Sequence, residues 1–262
     1  MVYSVSIHKL NRMPESPSSS SLQSLAVPIA IVLGFGLIAI AIYFSGGGVP
    51  AAVPTALENE AGEAITPDLT KIDPVTEDDH IRGNPNAPIV FVEYSDYDCP
   101  FCKNFHETMK RIMDEYGATG EVAWVYRHFP LPQLHPSAPK IAEAAECVAA
   151  LGGDAAFWTF SDKVFEERGT NELTDMSRLT EFAEAAGVSA TAFNECLGSG
   201  RMQAAVEADT MDALEIGGRG TPHTIVLVGG EQGVINGAQP YATVVKILDD
   251  LLVQMEGQGA AQ

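Results

Sequence analysis

The sequence predicts an α/β domain with an inserted block of helices, preceded by one N-terminal transmembrane helix and a flexible linker. Three observations carry this. Strand-like apolar runs flank a helical pattern between residues 89 and 127, the stretch from about residue 136 to 216 reads as a succession of helices, and β-patterned sequence returns at residue 224. The 262 residues are 46% hydrophobic, enough for a sizeable core. With 15 basic and 35 acidic residues the net charge is −20, so the chain repels phosphate backbones, and nucleic acid is not an expected partner.

From Leu25 to Phe44 the chain reads LAVPIAIVLGFGLIAIAIYF, 20 residues without a charge, which as a helix matches the ~30 Å of a bilayer core. Lys9 and Arg12 precede it and the next Lys or Arg is Lys71, so the N-terminus is expected in the cytoplasm and the rest outside. The apolar stretch exceeds the ~7–15 residues of a cleaved signal peptide, which favours a signal anchor, with cleavage near Ser45–Gly47 or Ala51–Ala52 as the alternative. The expected organisation is a cytoplasmic tail over 1–24, an anchor over 25–44, a Gly-, Pro- and acid-rich linker over 45–78, a domain over 79–256 and a tail over 257–262.

Within the domain, the Asn84–Pro88 turn cluster leads into an apolar strand, Ile89 to Tyr94, broken only by Glu93. Cys99-Pro100-Phe101-Cys102 follows, and then Phe105, Met109, Ile112, Met113 and Tyr116 recur at helical spacing until Gly117. A second strand is expected over 122–127. Expected helices in the insertion run to Leu151 and then over 155–167, 177–186, 189–197 and 201–216, separated by Gly152-Gly153, Gly169, Gly187 and Gly198. Strands at 224–228 and near 234–235 and a helix over 240–255 complete the pattern.

The CxxC straddles a helix N-terminus in a strand–helix–strand setting. That context points to redox chemistry, because free backbone N–H groups and the helix dipole lower the pKa of the first cysteine into the ~3.5–7.5 range. Cys99 is the candidate nucleophile and Cys102, one turn further, the resolving thiol. A zinc site needs more ligands, but Cys147 and Cys196 stand alone and the six histidines form no close pair. Glu93 is costly in an apolar strand unless it titrates; a solvent-facing edge position is the alternative.

The Val92-Glu93-Tyr94 lead into CPFC, the Tyr126-Arg127-His128-Phe129-Pro130-Leu131 segment, the helical insertion and Gly220-Thr221-Pro222 before a strand together resemble the DsbA-like, thioredoxin-fold disulfide oxidoreductases of bacterial envelopes. The resemblance runs from about Asp79 to Met255. It implies a thioredoxin-like fold and a thiol:disulfide oxidoreductase that acts on exported cysteine-containing proteins, with no cofactor or metal. A DsbB-like or quinone-linked membrane partner would reoxidise it in the periplasm or extracytoplasmic space. It also implies a cis bond before Pro222, with Thr221 and Pro222 set against the CxxC, and a proton-handling Glu93 beneath the resolving cysteine; an ordinary trans turn proline is the alternative at Pro222. Similar relatives carry a cysteine pair in the inserted helices, which makes Cys147 and Cys196 a candidate structural disulfide, against two buried free thiols.

Two departures stand out. The best known member has His between its cysteines, whereas Phe101 stands here and cannot stabilise a thiolate by charge, so a weaker oxidant is expected. Thr221, in place of Val, blurs the line to isomerases and reductases. A reductase or isomerase of the same fold, and a peptide- or metal-binding module using CPFC, are the rival readings. His223 lies either near the sulfurs or merely at a strand start, while His128 and His135 are assigned to structure.

Overall fold

The structure, a computed structural model, describes residues 68–259. At its centre lies β2 (Ile89–Ser95), the run that the sequence marks as a buried strand. It pairs in parallel with β3 (Val122–His128) and antiparallel with β4 (His223–Val228). The edges are β1 (His80–Gly83) beside β3 and β5 (Glu231–Asn236) beside β4, both antiparallel, giving the order β1-β3-β2-β4-β5. No sequence pattern announced β1, because four residues reading His-Ile-Arg-Gly show neither alternation nor an apolar run. Its pairing with β3, from His80 opposite Tyr126 to Gly83 opposite Ala123, defines it.

Side chains alternate across this sheet and sort its two layers. On one face Phe91, Trp124 and Tyr126 pack with Phe105, Met109 and Ile112 of α1 (Pro100–Ile112). Phe157, Phe160 and Phe165 of the insertion and Val244 and Leu248 of the C-terminal helix join the same core. On the other face Val92, Tyr94, Val125 and Ile225 pack against Ala213 and Ile216. Each large apolar side chain buried in this way contributes about 2–3 kcal/mol. The helix α1 ends in a single π-helical turn, Met113–Gly117, where a side chain at position 117 would strike Met113.

The insertion begins with α2 (Ala138–Gly152) and α3 (Asp154–Glu167). Between them Gly153 adopts φ 75°, ψ −175°, a conformation essentially closed to residues with a Cβ. A 3₁₀ turn at Met176–Arg178 leads into α4 (Leu179–Ala185), followed by α5 (Ala190–Ser199) and α6 (Gln203–Glu215). A disulfide joins Cys147 of α2 to Cys196 of α5, with Cα atoms 5.8 Å apart. The last described element is α7 (Tyr241–Gly259), which runs four residues past the expected helix end at 255, so the expected tail over 257–262 is helical as far as residue 259.

The linker boundary at residue 78 requires correction. Residues 68–78, expected to be tether, belong to the folded domain: Leu69, Ile72 and Val75 pack against the second face of the sheet, and the Asp68 N–H donates to the Glu215 carbonyl at 3.2 Å. Arg127 explains why. Buried in β3, it needs partners, and it donates to the Asp79 carboxylate (2.8 Å), the Asp212 carboxylate (2.7 Å) and the Asp73 carbonyl (3.1 Å). Composition alone describes such a segment as solvated, because its partner lies far along the chain. The expected anchor over 25–44 and the linker as far as residue 67 lie outside the described residues. Among the described residues no helix is long and apolar enough to cross a membrane.

Candidate active site

Asp96 to Asp98 turn the chain from β2 into α1, and Cys99 is the N-cap residue of that helix, with Pro100 in its first turn. No side chain caps the helix, so its first amides remain free to face the Cys99 sulfur. The Cys99 pKa falls to about 6, chiefly through the hydrogen bond from the Cys102 thiol, with Thr221 and the backbone amides of Cys102 and Phe101 adding to it and burial opposing it. The peptide bond between Thr221 and Pro222 is cis, and the Cys99 thiol donates to the Thr221 carbonyl at 3.5 Å. The Thr221 hydroxyl is buried without another partner, which leaves it free to donate to a thiolate.

Cys102 has the opposite character. It is fully buried, its sulfur accepts the Asp96 N–H at 3.4 Å, and both cysteines are free thiols. Burial, and then the charges of Cys99 and Glu93, push its pKa well above the ordinary thiol value. At neutral pH the pair is therefore one thiolate and one thiol.

Glu93 is not at an edge. It sits in the central strand between Tyr126 and Thr224, with no exposure to solvent. The Trp124 indole donates to Oε2 at 2.9 Å, while Oε1 has no partner. Burial pushes its pKa up to about 7 against the pull of Ser95 and Trp124, and the Cys99 charge adds to the rise. The Ser95 hydroxyl faces Glu93 and Cys102 without closing a hydrogen bond of good geometry to either.

Arg168 completes the site and was not anticipated. It follows α3 directly, is buried, and donates from Nη2 to the Cys99 carbonyl at 2.9 Å and from Nη1 to the Glu172 carbonyl at 2.8 Å. Among the described residues it makes no ion pair with a carboxylate, and its Nε has no partner. Burial lowers its pKa, and the charges of Asp98 and then of Cys99 and Cys102 oppose that, so the guanidinium is an electrostatic partner of the sulfurs as well as of Asp98. A basic residue before Gly169 reads in sequence as an ordinary helix end, and its contact with Cys99 spans 69 positions.

The histidines fall elsewhere. His223 is the first residue of β4, bonded through Nδ1 to Asn236 at 3.2 Å rather than to a sulfur. His135 bonds the Asp96 carboxylate at 2.9 Å, bracing the turn that precedes Cys99, and His128 bonds Glu146 at 3.0 Å.

Comparison with known proteins agrees with this fold. The thioredoxin family model matches residues 75–250. The chain belongs to the thioredoxin family. Its fold is DsbA-like: it superposes on alpha-DsbA1 of Wolbachia pipientis with a TM-score of 0.58 at 22% identity, covering 69% of this chain and 94% of that one. BdbD from Bacillus subtilis gives 0.58 at 22% identity over 71% and 95% of the two chains. DsbA of Chlamydia trachomatis gives 0.58 at 18% identity over 75% and 100%. Curated relatives include the Na(+)/H(+) antiporter NhaA 3 of Salinispora tropica, 30% identical over 201 residues, and NhaA 1 of Mycolicibacterium gilvum, 37% identical over 127 residues. Those matches cover 75% and 48% of this chain, but it spans only 28% and 19% of the antiporters, whose name describes far longer proteins.

Proposed function

We propose that this protein is a thiol:disulfide oxidoreductase that introduces disulfides into exported proteins through Cys99 and Cys102, held at the membrane by residues 25–44. The observation that carries the reading is the asymmetry of the pair: a Cys99 sulfur with a low pKa at a helix start beside Thr221–Pro222, and a buried Cys102 with a high one.

A substrate thiolate attacks Cys99 Sγ of the oxidised pair, the Cys99–Cys102 bond breaks, and the electron pair leaves on Cys102. Glu93, titrating near pH 7 in the layer below, supplies the proton that makes the departing sulfur a thiol. A second substrate thiolate then attacks the substrate sulfur of the mixed disulfide and releases Cys99 as a thiolate, a good leaving group because its pKa is low. The substrate gains one disulfide and the enzyme becomes a dithiol, which a DsbB-like or quinone-linked membrane partner reoxidises. Phe101, 61% exposed beside Cys99, offers apolar contact to the incoming segment.

Cys99→Ser should abolish oxidation of a reduced model peptide, whereas Cys102→Ser should accumulate mixed disulfides with envelope proteins, seen on non-reducing gels. Full activity in the Cys99→Ser protein overturns the reading.

A further inference from the structure

A second polar cluster lies outside the dithiol site, and the oxidoreductase reading does not use it. His80 of β1, His128 of β3 and Glu146 of α2 come from three separate stretches of chain and meet under Phe157, whose ring stacks on His80 with centroids 3.6 Å apart. Both imidazole Nε2 atoms converge on Glu146 Oε1, at 2.9 Å from His80 and 3.0 Å from His128, and the three atoms lie within 4.8 Å of one another. His128 is fully buried and His80 nearly so.

We infer that His80, His128 and Glu146 form a binding site for a divalent transition-metal ion of the zinc class. Two imidazole nitrogens and one carboxylate oxygen are a borderline-soft donor set that suits such ions and leaves a fourth position for water. Donors held ~2.0–2.1 Å from a tetrahedral ion stand roughly 3.3 Å apart, so the two nitrogen–oxygen separations here need to open by a few tenths of an ångström and the two nitrogens, within 4.8 Å of each other, to settle at the same spacing. The outer shell agrees: His80 turns its Nδ1 to Asp154 Oδ1 at 3.2 Å, the carboxylate–histidine arrangement that orients a metal-binding imidazole. The Asp154 side chain is 48% exposed, so the His80 end of the cluster lies close to the surface.

Charge is the second, independent argument. Glu146 and Asp154 bond to the cluster directly, and Asp209 accepts the His128 backbone N–H at 2.8 Å. Among the described residues no Lys or Arg forms an ion pair with any of these three carboxylates. The positive charge that faces them is that of the imidazoles when protonated, and a dication bound to the neutral rings would take the place of those protons. Bound there, it would tie β1 and β3 of the sheet to α2 of the insertion, beside the Cys147–Cys196 disulfide.

The test uses full-length protein in detergent with its Cys99–Cys102 pair oxidised, so that no thiol competes for metal. Zn²⁺ titration by calorimetry should give one site per chain, and Co²⁺ should give a visible d–d spectrum without a thiolate charge-transfer band. At about 100 times Kd, Zn²⁺ should raise the melting midpoint by roughly 5–10 °C. Glu146→Gln and His80→Ala should each abolish the site, and Asp154→Asn should weaken it about 10–100-fold. Absence of saturable binding in the wild type, or equal binding in wild type and Glu146→Gln, overturns the inference and leaves the cluster a hydrogen-bonded ion pair.

Discussion

Cys99 and Cys102 lie three residues apart at the start of a helix, whereas Cys147 and Cys196 lie 49 apart in two packed helices of the insertion. The first pair is flanked by free backbone amides, the Thr221 loop and Arg168, and its two sulfurs differ in pKa. The second pair sits in the apolar core without such neighbours. Reactivity here is thus a property of surroundings rather than of the thiol, and reductant should separate the pairs. Reducing the first pair creates a thiolate that the fold stabilises. Reducing the second releases a constraint on the unfolded chain.

The largest effect expected from this contrast is on stability. Replacing both Cys147 and Cys196 with Ala should cost about 4 kcal/mol, from the entropy of a loop of that length, while dithiol activity stays intact. Denaturant melts and peptide oxidation on the same sample check this; lost activity in a folded variant would break the separation between the pairs.

Glu93 gives the next effect. Its folded pKa, about 7, lies above the ordinary 4.5, so its burial costs nothing below pH 4.5 and the full penalty above pH 7. The reduced Glu93→Gln protein should match wild type at pH 4 and exceed it by roughly 3 kcal/mol at pH 8. In the oxidised form the same variant should oxidise substrate more slowly, because the departing Cys102 sulfur loses its proton source. A stability difference that does not vary with pH would remove Glu93 from the site's proton chemistry.

Smaller effects concern the Cys99 thiolate. Arg168→Gln should raise the Cys99 pKa by about one unit, with Arg168→Lys restoring part of the shift, and make the pair less oxidising. Phe101→His should move both quantities the other way by less than about a unit, because position 101 is largely solvent-exposed. Ultraviolet thiolate titration and glutathione equilibria measure both.

The first pair was legible in the sequence because its determinants are local: a strand, two cysteines at helical spacing, a proline in the first turn and an apolar helix face. The central strands and the insertion were legible for the same reason, through periodicity and glycine breaks. What escaped depends on contacts between distant residues. Strand β1 exists only through its pairing with β3, the 68–78 segment is folded because Leu69, Ile72 and Val75 pack on the sheet and Arg127 donates to the Asp73 and Pro74 carbonyls, and Arg168 reaches Cys99 across 69 positions. Glu93 lies between: its residue type within an apolar run raised the suspicion, but only the sheet order showed it to be central and enclosed.

The central claim is that the fold makes Cys99 a thiolate and keeps Cys102 a thiol. Because the folded Cys99 pKa, about 6, lies below the ordinary thiol value of 9, its stabilisation of the reduced domain is complete above pH 9 and disappears as pH falls through 6. The direct measurement is thiolate absorbance of the reduced protein from pH 3 to 10. One thiolate per chain should appear with a midpoint near 6, be absent in Cys99→Ser, and be followed by no second thiolate below pH 9. A single transition near the ordinary thiol value, or two thiolates titrating together, would contradict the account.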